Sequence, residues 1–427
     1  MSDRQVIRRI ITCQGSIQLV TALSVLRYRE KQQNFNHTYE NYLVIYDLNT
    51  PEKQIEEFAA FIKKMAEKLL DWQKITYISP EKLKNISDKL TSTRPAKLYQ
   101  IVHSLVGTEL TEEIYLCRNW QFGNQLFINA YQSAEKICYG DSIGIYFSSN
   151  AAAFFAASTE EPQKHQLSLP TLIFNWIRSC KNQVKTLIEG WKEQLKLKTV
   201  LATIEFDRGY FVLPEIMGEV PPMSTVKLDK TYILENFQRL RSLANPNYVA
   251  QTKEKIAGFP VVILLTSNLS EACRISVDDE IIAYREFLIS QGIEDTVLVI
   301  KPHPRDDITK IERLKLSLTD LFIHILVLWE PELFFLPFEV FFLEAFLSEQ
   351  KILNNSMKVL AVSSACISLK LLFNVPSIVG FGDKITSNLF YENYIAGRLA
   401  HEHELRTAVE NLNLNEESET RLIKETW

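Results

Sequence analysis

Glycine is scarce in this chain, 13 residues in 427, and its scarcity excludes two common nucleotide sites. A GxGxxG fingerprint or a GxxxxGK(S/T) loop needs glycine where backbone meets phosphate, and neither run occurs. Cysteine is sparse and scattered: the six (13, 117, 138, 180, 273 and 366) form no CxxC pair. That argues against structural zinc and for a reducing compartment. Cys13, Cys117, Cys138 and Cys366 lie in or beside apolar runs, as buried free thiols do. There is no excess of positive charge, the net being −5, so general nucleic-acid binding is disfavoured. Long apolar runs are missing too. Phe334–Leu347 is too short to span a bilayer, and Pro337, Glu339 and Glu344 interrupt it. The opening MSDRQVIRRI has neither an apolar h-region nor a cleavage site. The expected location is cytoplasmic.

What is present is a globular composition, 46% hydrophobic and 23% charged, in a chain long enough for two domains. Its centre is Val297–Arg305, VLVIKPHPR. Four apolar residues, mostly β-branched, read as a parallel strand buried on both faces. Lys301-Pro302-His303-Pro304-Arg305 ends it abruptly, because each proline removes an N–H and fixes φ. In open α/β sheets ligands bind past the carboxyl ends of strands. An imidazole held there between Lys301 and Arg305 suits an anion. The two cations disfavour a third charge, whereas a bound phosphate would favour it. A solvated basic turn is the competing reading.

Around that strand the chain alternates. Val6–Thr12, Tyr42–Asp47, Lys74–Ser79, Glu113–Cys117 and Lys136–Tyr139 read as strands, with helical spacing between them. Residues 151–200 break the rhythm with an amphipathic stripe from Leu172 to Leu195, flanked by Arg178, Lys181, Lys185, Lys192 and Lys196. Such a helix packs on its own domain, lies on an anionic membrane surface or lines an anionic acceptor. Ile204–Pro214 reads as a strand pair. Alternation resumes at Pro260 with strands Pro260–Thr266, Thr296–Ile300, Phe322–Leu328, Val359–Val362 and Ser377–Val379. Strands alternating with helices imply βαβ units and mostly parallel sheets. The expected architecture is α/β, two Rossmann-like domains facing a central cleft. Residues 1–214 form the first domain, with a helical insertion at 151–200, residues 215–255 are linker and helix, and 256–427 form the second domain.

Three loops of the second half would converge on the cleft: Thr266-Ser267-Asn268, Lys301–Arg305 and Ser363-Ser364. Hydroxyls beside the free N–H groups of a helix start make a phosphate site without glycine; simple N-capping by Ser364 is the alternative. Glu339, in a first helical turn, either favours the helix dipole or accepts from ribose hydroxyls. From the first half, Asp141 follows a strand in the turn Tyr139–Gly144, as a structural turn residue or as a general base opposite His303. Gln14 and Arg118, at the ends of two first-half strands, are placed on the acceptor side. His324 reads as core in an apolar strand, and His401 and His403 as residues of a polar helix.

These residues resemble a known set. His303-Pro304 resembles the HP motif of bacterial sialyltransferases, Ser363-Ser364 their serine motif, and Tyr139–Gly144 their acidic motif, with Gly140 and Ser142 standing at two of its usual positions. TCQGSIQ (Thr12–Gln18) and LPFEVFF (Leu336–Phe342) are similar to the polysialyltransferase and lipooligosaccharide sialyltransferase group. The resemblance covers most of the chain except 151–200. It implies a GT-B fold and a CMP-sialic acid donor. His303 would act as general acid on the departing CMP phosphate, Ser363 and Ser364 would bind that phosphate, and Asp141 would deprotonate the acceptor hydroxyl. Thr266, Asn268, Lys301, Arg305 and Glu339 complete the expected donor side. No metal or other cofactor is expected. The expected partners are a CMP-sugar and a glycan or glycolipid acceptor, with peripheral membrane contact at most. A transferase using CMP-Kdo or a UDP-hexose, and a non-catalytic nucleotide- or glycan-binding relative, stay open.

Overall fold

Two parallel sheets, each built on strands apolar on both faces, carry the computed structural model. It describes residues 5–32, 37–48, 50, 52–90, 93–119, 121–140, 143, 201–202, 204–214, 222–293, 295–348, 351–352 and 357–425. Asp141 and the stripe Leu172–Leu195 lie outside the described residues.

The first sheet draws on β1 (Gln5–Cys13), α1 (Ser16–Gln32), β2 (His37–Ile45), α2 (Ile55–Leu69), β3 (Lys74–Tyr77), α3 (Pro80–Lys89) and α4 (Pro95–Val106). It continues through β4 (Glu113–Leu116), α5 (Phe122–Ala130), β5 (Glu135–Cys138), β6 (Arg208–Phe211) and β7 (Ser224–Lys227). Its order is β3-β2-β1-β4-β5-β6-β7, with every pairing parallel. Helices α6 (Lys230–Leu240) and α7 (Pro246–Ile256) follow.

The second sheet uses β8 (Val261–Leu265), α8 (Val277–Ser290), β9 (Val297–Lys301), α9 (Ile308–Ser317), β10 (His324–Val327), α10 (Pro331–Phe335) and α11 (Phe338–Ala345). After a small antiparallel pair, β11 (Leu347–Ser348) with β12 (Lys351–Ile352), come β13 (Lys358–Ala361), α12 (Ala365–Phe373) and β14 (Ser377–Val379). Helices α13 (Asp383–Leu389) and α14 (Glu392–Glu425) follow them. Its order is β10-β9-β8-β13-β14, again parallel throughout. Both sheets therefore reverse strand order beside their first strand, at β1/β4 and at β8/β13. Crevices at such reversals are where α/β sheets bind ligands.

Several local readings change. Ile204–Pro214 holds one strand, β6, parallel to β5 and β7, and not a strand pair. Asp207 starts that strand by taking the Lys136 N–H on its carboxylate at 2.7 Å. The span 215–255 supplies β7, α6 and α7. Helix α3 went unread although Ser79 caps it and Pro80 opens it, a standard N-terminal signature. His324 is exposed and not core, because β10 is an edge strand. His401 is buried and not on a polar face. Burial and then Arg398 and Arg274 pull its imidazole down to about 3. Among the described residues no helix is long and apolar enough to cross a membrane.

The two halves meet through α2, α6 and α10. Asn236 of α6 is buried and donates to Ser24 Oγ at 2.8 Å and Val20 O at 3.3 Å on α1, while accepting from Arg27. Phe335 of α10 stacks on Phe58 of α2 with ring centroids 4.8 Å apart and tilts against Phe61 at 6.1 Å. Thr50, in the loop after β2, donates to the Pro304 carbonyl at 3.2 Å. Deleting a buried phenyl ring costs about 3–5 kcal/mol. Phe335→Ala should lower unfolding free energy by that amount in a urea titration. A loss under about 1 kcal/mol, typical of a surface change, would mean that the ring does not join the halves.

Candidate active site

Beyond Lys301, which ends β9, the chain closes a small ring of hydrogen bonds. The His303 N–H donates to Asp306 Oδ2 at 2.7 Å and to Thr266 Oγ1 at 3.0 Å, and Asp306 N–H donates back to His303 O at 2.9 Å. The Arg305 N–H donates to His303 Nδ1 at 3.1 Å. An accepting Nδ1 leaves the proton of the neutral imidazole on Nε2. The ring is half-buried. Burial first, then Arg305, Lys301, Lys310 and Arg274, pull it down to about 3. His303 is thus a neutral Nε2–H donor, and an anion beside it would raise its proton affinity.

The ring rests on a buried charge cluster. Lys310 Nζ lies 2.8 Å from Asp306 Oδ1, 3.1 Å from Glu280 Oε1 and 2.8 Å from Glu271 Oε2. Asp306, Glu280 and Lys310 are all buried. Burial pushes Glu280 up to about 7 and raises Asp306. Burial alone would lower Lys310, but Asp306, Glu280 and Glu271 outweigh it and raise it. These three carboxylates have the spacing of a metal site, and the ammonium stands among them as their cation. Asp307 caps α9 through the Thr309 N–H at 2.8 Å and so sets the helix that presents Lys310.

The other expected donor residues fall into two groups. Around the ring, Thr266 is buried, accepting from His303 N–H and bonded to Asp306. Asn268 is half-buried in the same loop after β8. Ser363 and Ser364, half-buried, end β13 and open α12, and Ser364 makes no side-chain cap bond, so simple capping is not its use. Beneath them Arg398 Nη2 donates to Val362 O at 2.9 Å. Arg305 is exposed at the loop surface, but partial desolvation of its guanidinium where the chain crowds it, and then Arg118 of the first half, lower it.

Lys301 and Glu339 sit in the interior. Lys301 Nζ donates to the Pro302 and Phe334 carbonyls, each at 3.2 Å, and burial lowers it to about 8. Glu339 is buried and accepts from Ser368 of α12, with burial raising its carboxyl. Lys301 thus braces the loop from behind, and Glu339 ties α11 to α12.

On the first-sheet side Gln14 is buried. It donates to Gln121 Oε1 at 2.9 Å and accepts from Cys117 Sγ at 3.1 Å. Arg118 is half-buried after β4. Tyr139 donates to Thr12 O at 2.8 Å, and Gly140 turns the chain beyond it with φ +85°. That left-handed turn accounts for glycine at the first position of the acidic motif. The residues that sequence reading missed are Asp306, Lys310, Glu280 and Arg274. Asp306 and Lys310 stand at i and i+4 directly after the HP dipeptide, and that spacing was a usable signal.

Removing one partner of a buried ion cluster costs about 3–5 kcal/mol. Lys310→Met should lose that much at pH 8. Without the ammonium, Asp306 and Glu280 have folded pKa values above their unfolded ones. Their protonated, stable form is therefore fully present at low pH and lost as pH rises through the folded values. The deficit of Lys310→Met should shrink between pH 8 and pH 5 in denaturant melts. A deficit independent of pH would mean that the carboxylates do not depend on Lys310.

The family model described as alpha-2,8-polysialyltransferase matches residues 9–380. Curated proteins give no match. Among solved structures, a putative UDP-N-acetylglucosamine 2-epimerase from Listeria monocytogenes is similar at 12% identity and TM-score 0.45, covering 87% of this chain and 78% of that one. The Neisseria meningitidis UDP-GlcNAc 2-epimerase bound to UDP-GlcNAc gives 10% and 0.43, covering 96% and 94%. The Escherichia coli ADP-heptose lipopolysaccharide heptosyltransferase II gives 9% and 0.34, covering 87% and 84%. Likeness this distant carries no argument. The family match spans most of the chain and both sheets: the chain belongs to the alpha-2,8-polysialyltransferase family and is a glycosyltransferase of the sialyltransferase type, using a nucleotide-sugar donor and a glycan acceptor.

Proposed function

We propose that the donor is CMP-sialic acid and that its sialyl group passes, with inversion, to a glycan or glycolipid acceptor. One observation carries this reading: the Nε2–H imidazole of His303, among four cations, on a ring whose position is fixed by Asp306 and Thr266. The CMP phosphate is the anion that fits there. Its charge raises His303, which then delivers a proton to the departing phosphate oxygen and returns to the neutral form. Ser363, Ser364 and the first N–H groups of α12 receive the phosphate, with Thr266, Asn268 and Arg305 around it. Lys301 acts from behind by holding the loop, and Glu339 by holding α12, the helix that the serines open. The acidic motif assigns the acceptor proton to Asp141. Neither a metal nor another cofactor enters this scheme. The basic stripe of Leu172–Leu195 supports contact with an anionic membrane surface as part of the reading.

CMP should stabilise the protein in a melting assay, by about 2.7 kcal/mol at 100 times its Kd, and UDP at equal concentration should do far less. Equal stabilisation by the two rejects the donor. By NMR the His303 imidazole should titrate near 3 alone and clearly higher with CMP bound; an unmoved titration removes its role on the phosphate. His303→Ala should cut turnover by roughly 10²–10⁴ while CMP affinity stays within several-fold. A donor with a better leaving group should partly rescue His303→Ala and leave Asp141→Asn unrescued. Flotation should favour anionic over neutral liposomes. Equal partition returns the basic stripe to packing within its own domain.

A further inference from the structure

The loop after β2 was read only as the end of a strand, yet it is the part of the first sheet that touches the HP ring. Thr50 is buried there and donates to Pro304 O at 3.2 Å, one residue from His303. Three residues earlier stands Asp47, half-buried, with a left-handed backbone at φ +46°. Non-glycine residues in that region cost energy and cluster at functional sites, where the surroundings over-determine them. A second case lies beside it: Gln121, φ +83°, at the start of α5. The two are joined by one polar network. Gln121 accepts from Gln14 and from Asn124, and Asn124 accepts from Tyr46, the neighbour of Asp47. The Asp47 carboxylate lies over the first turn of α5, with Oδ2 only 3.2 Å from where a Cβ at Gly123 would stand. Any side chain at 123 would press on that carboxylate and on the Tyr46 ring.

We infer that Asp47 is an acceptor-binding carboxylate: it accepts hydrogen bonds from hydroxyl groups of the acceptor sugar and orients that sugar toward the bond broken at His303. This rests on the transferase reading above. The chemistry suits the group. A carboxylate offers two oxygens and about four lone pairs, enough for neighbouring sugar hydroxyls. Asp47 takes no proton in this role, and Asp141 keeps the assignment made above. Burial raises the Asp47 carboxyl, and Arg118 of the neighbouring strand end offsets part of that rise. Asp47 is held left-handed three residues before Thr50, whose hydroxyl reaches the HP loop.

The test separates the acceptor from the donor. Asp47→Asn keeps the size and tolerates the left-handed backbone, and Asp47→Gly removes both the strain and the carboxylate. The probe acceptor is a fluorophore-tagged α-2,8-linked sialic acid trimer, with CMP-sialic acid as donor. Losing a hydrogen bond to a charged group corresponds to roughly ten- to a hundredfold. The trimer KM should rise by that factor in both variants, CMP affinity should stay within twofold, and Asp47→Gly should melt at or above the native temperature. A native trimer KM in Asp47→Gly overturns the inference. So does a fall in CMP affinity that parallels the loss of transfer. If native protein binds CMP no better than UDP, the donor reading fails first and the inference falls with it. If CMP selectivity stands while KM is unmoved in Asp47→Asn, the inference alone fails.

Discussion

Everything on the donor side depends on one buried cation. Lys310 stands among Asp306, Glu280 and Glu271 at 2.8–3.1 Å, where none of these charges could be tolerated alone. A lone buried carboxylate takes up a proton and a lone buried ammonium loses one; together each draws the other toward its charged form, which Lys310 keeps while Glu280 is still raised to about 7. Only an ionised Asp306 can accept from the His303 N–H with one oxygen while the other meets Lys310. The conformation of the HP ring is therefore set by charge compensation one layer below it. The two prolines limit what the loop can do, and the ion cluster selects which of those conformations is kept.

The same layer explains the tautomer. One carboxylate oxygen of Asp306 and the Thr266 hydroxyl pin the His303 backbone from below, the Arg305 N–H occupies Nδ1, and the proton is left on Nε2. Burial, and then four cations, hold the imidazole neutral until an anion arrives. Such a site is charged by its ligand, so protonation and phosphate binding are linked and each favours the other. A histidine with an ordinary titration near neutrality would lack that dependence on the ligand.

Much of the fold was legible because β8 and β9 are apolar on both faces and sit between helical spacings; nothing else in a soluble chain reads that way. β6 and β7 were harder. Each is four residues long, with Arg208, Ser224 and Lys227 among them, so periodicity had little to work on. His324 and His401 misled for opposite reasons: apolar neighbours on an edge strand do not bury a residue, and polar neighbours on a helix do not expose one. For the site, the HP loop and the serines were legible from strand ends. What lay beneath was not, because Glu280 reaches Lys310 from a helix 30 residues away and no local pattern announces the pair. Lys301 and Glu339 were legible as polar residues near strand and helix ends, but their burial was not.

The scarcity of glycine has its counterpart in how the second cradle loop is built. Where a glycine-rich loop would wrap a phosphate with backbone, this chain fixes two strand ends with side chains. Arg398 donates to Val362 O before the serines, and its partner Glu402, 2.7 Å away, accepts from the Phe381 and Gly382 N–H groups at 3.0 Å each. Burial would raise Glu402, but Arg398 and those amides hold it below its ordinary value. One i,i+4 ion pair on α14 thus ties the ends of β13 and β14 together. Two of the glycines sit at this junction: Gly380 and Gly382 both have positive φ, and a Cβ at Gly380 would run into the Glu402 carboxylate. A cradle made this way keeps its shape only while its ion pair is intact. Its rigidity comes from charge pairing on a helix at the far end of the sequence, so the serine loop at 363–364 and residues beyond 398 act as one structural unit.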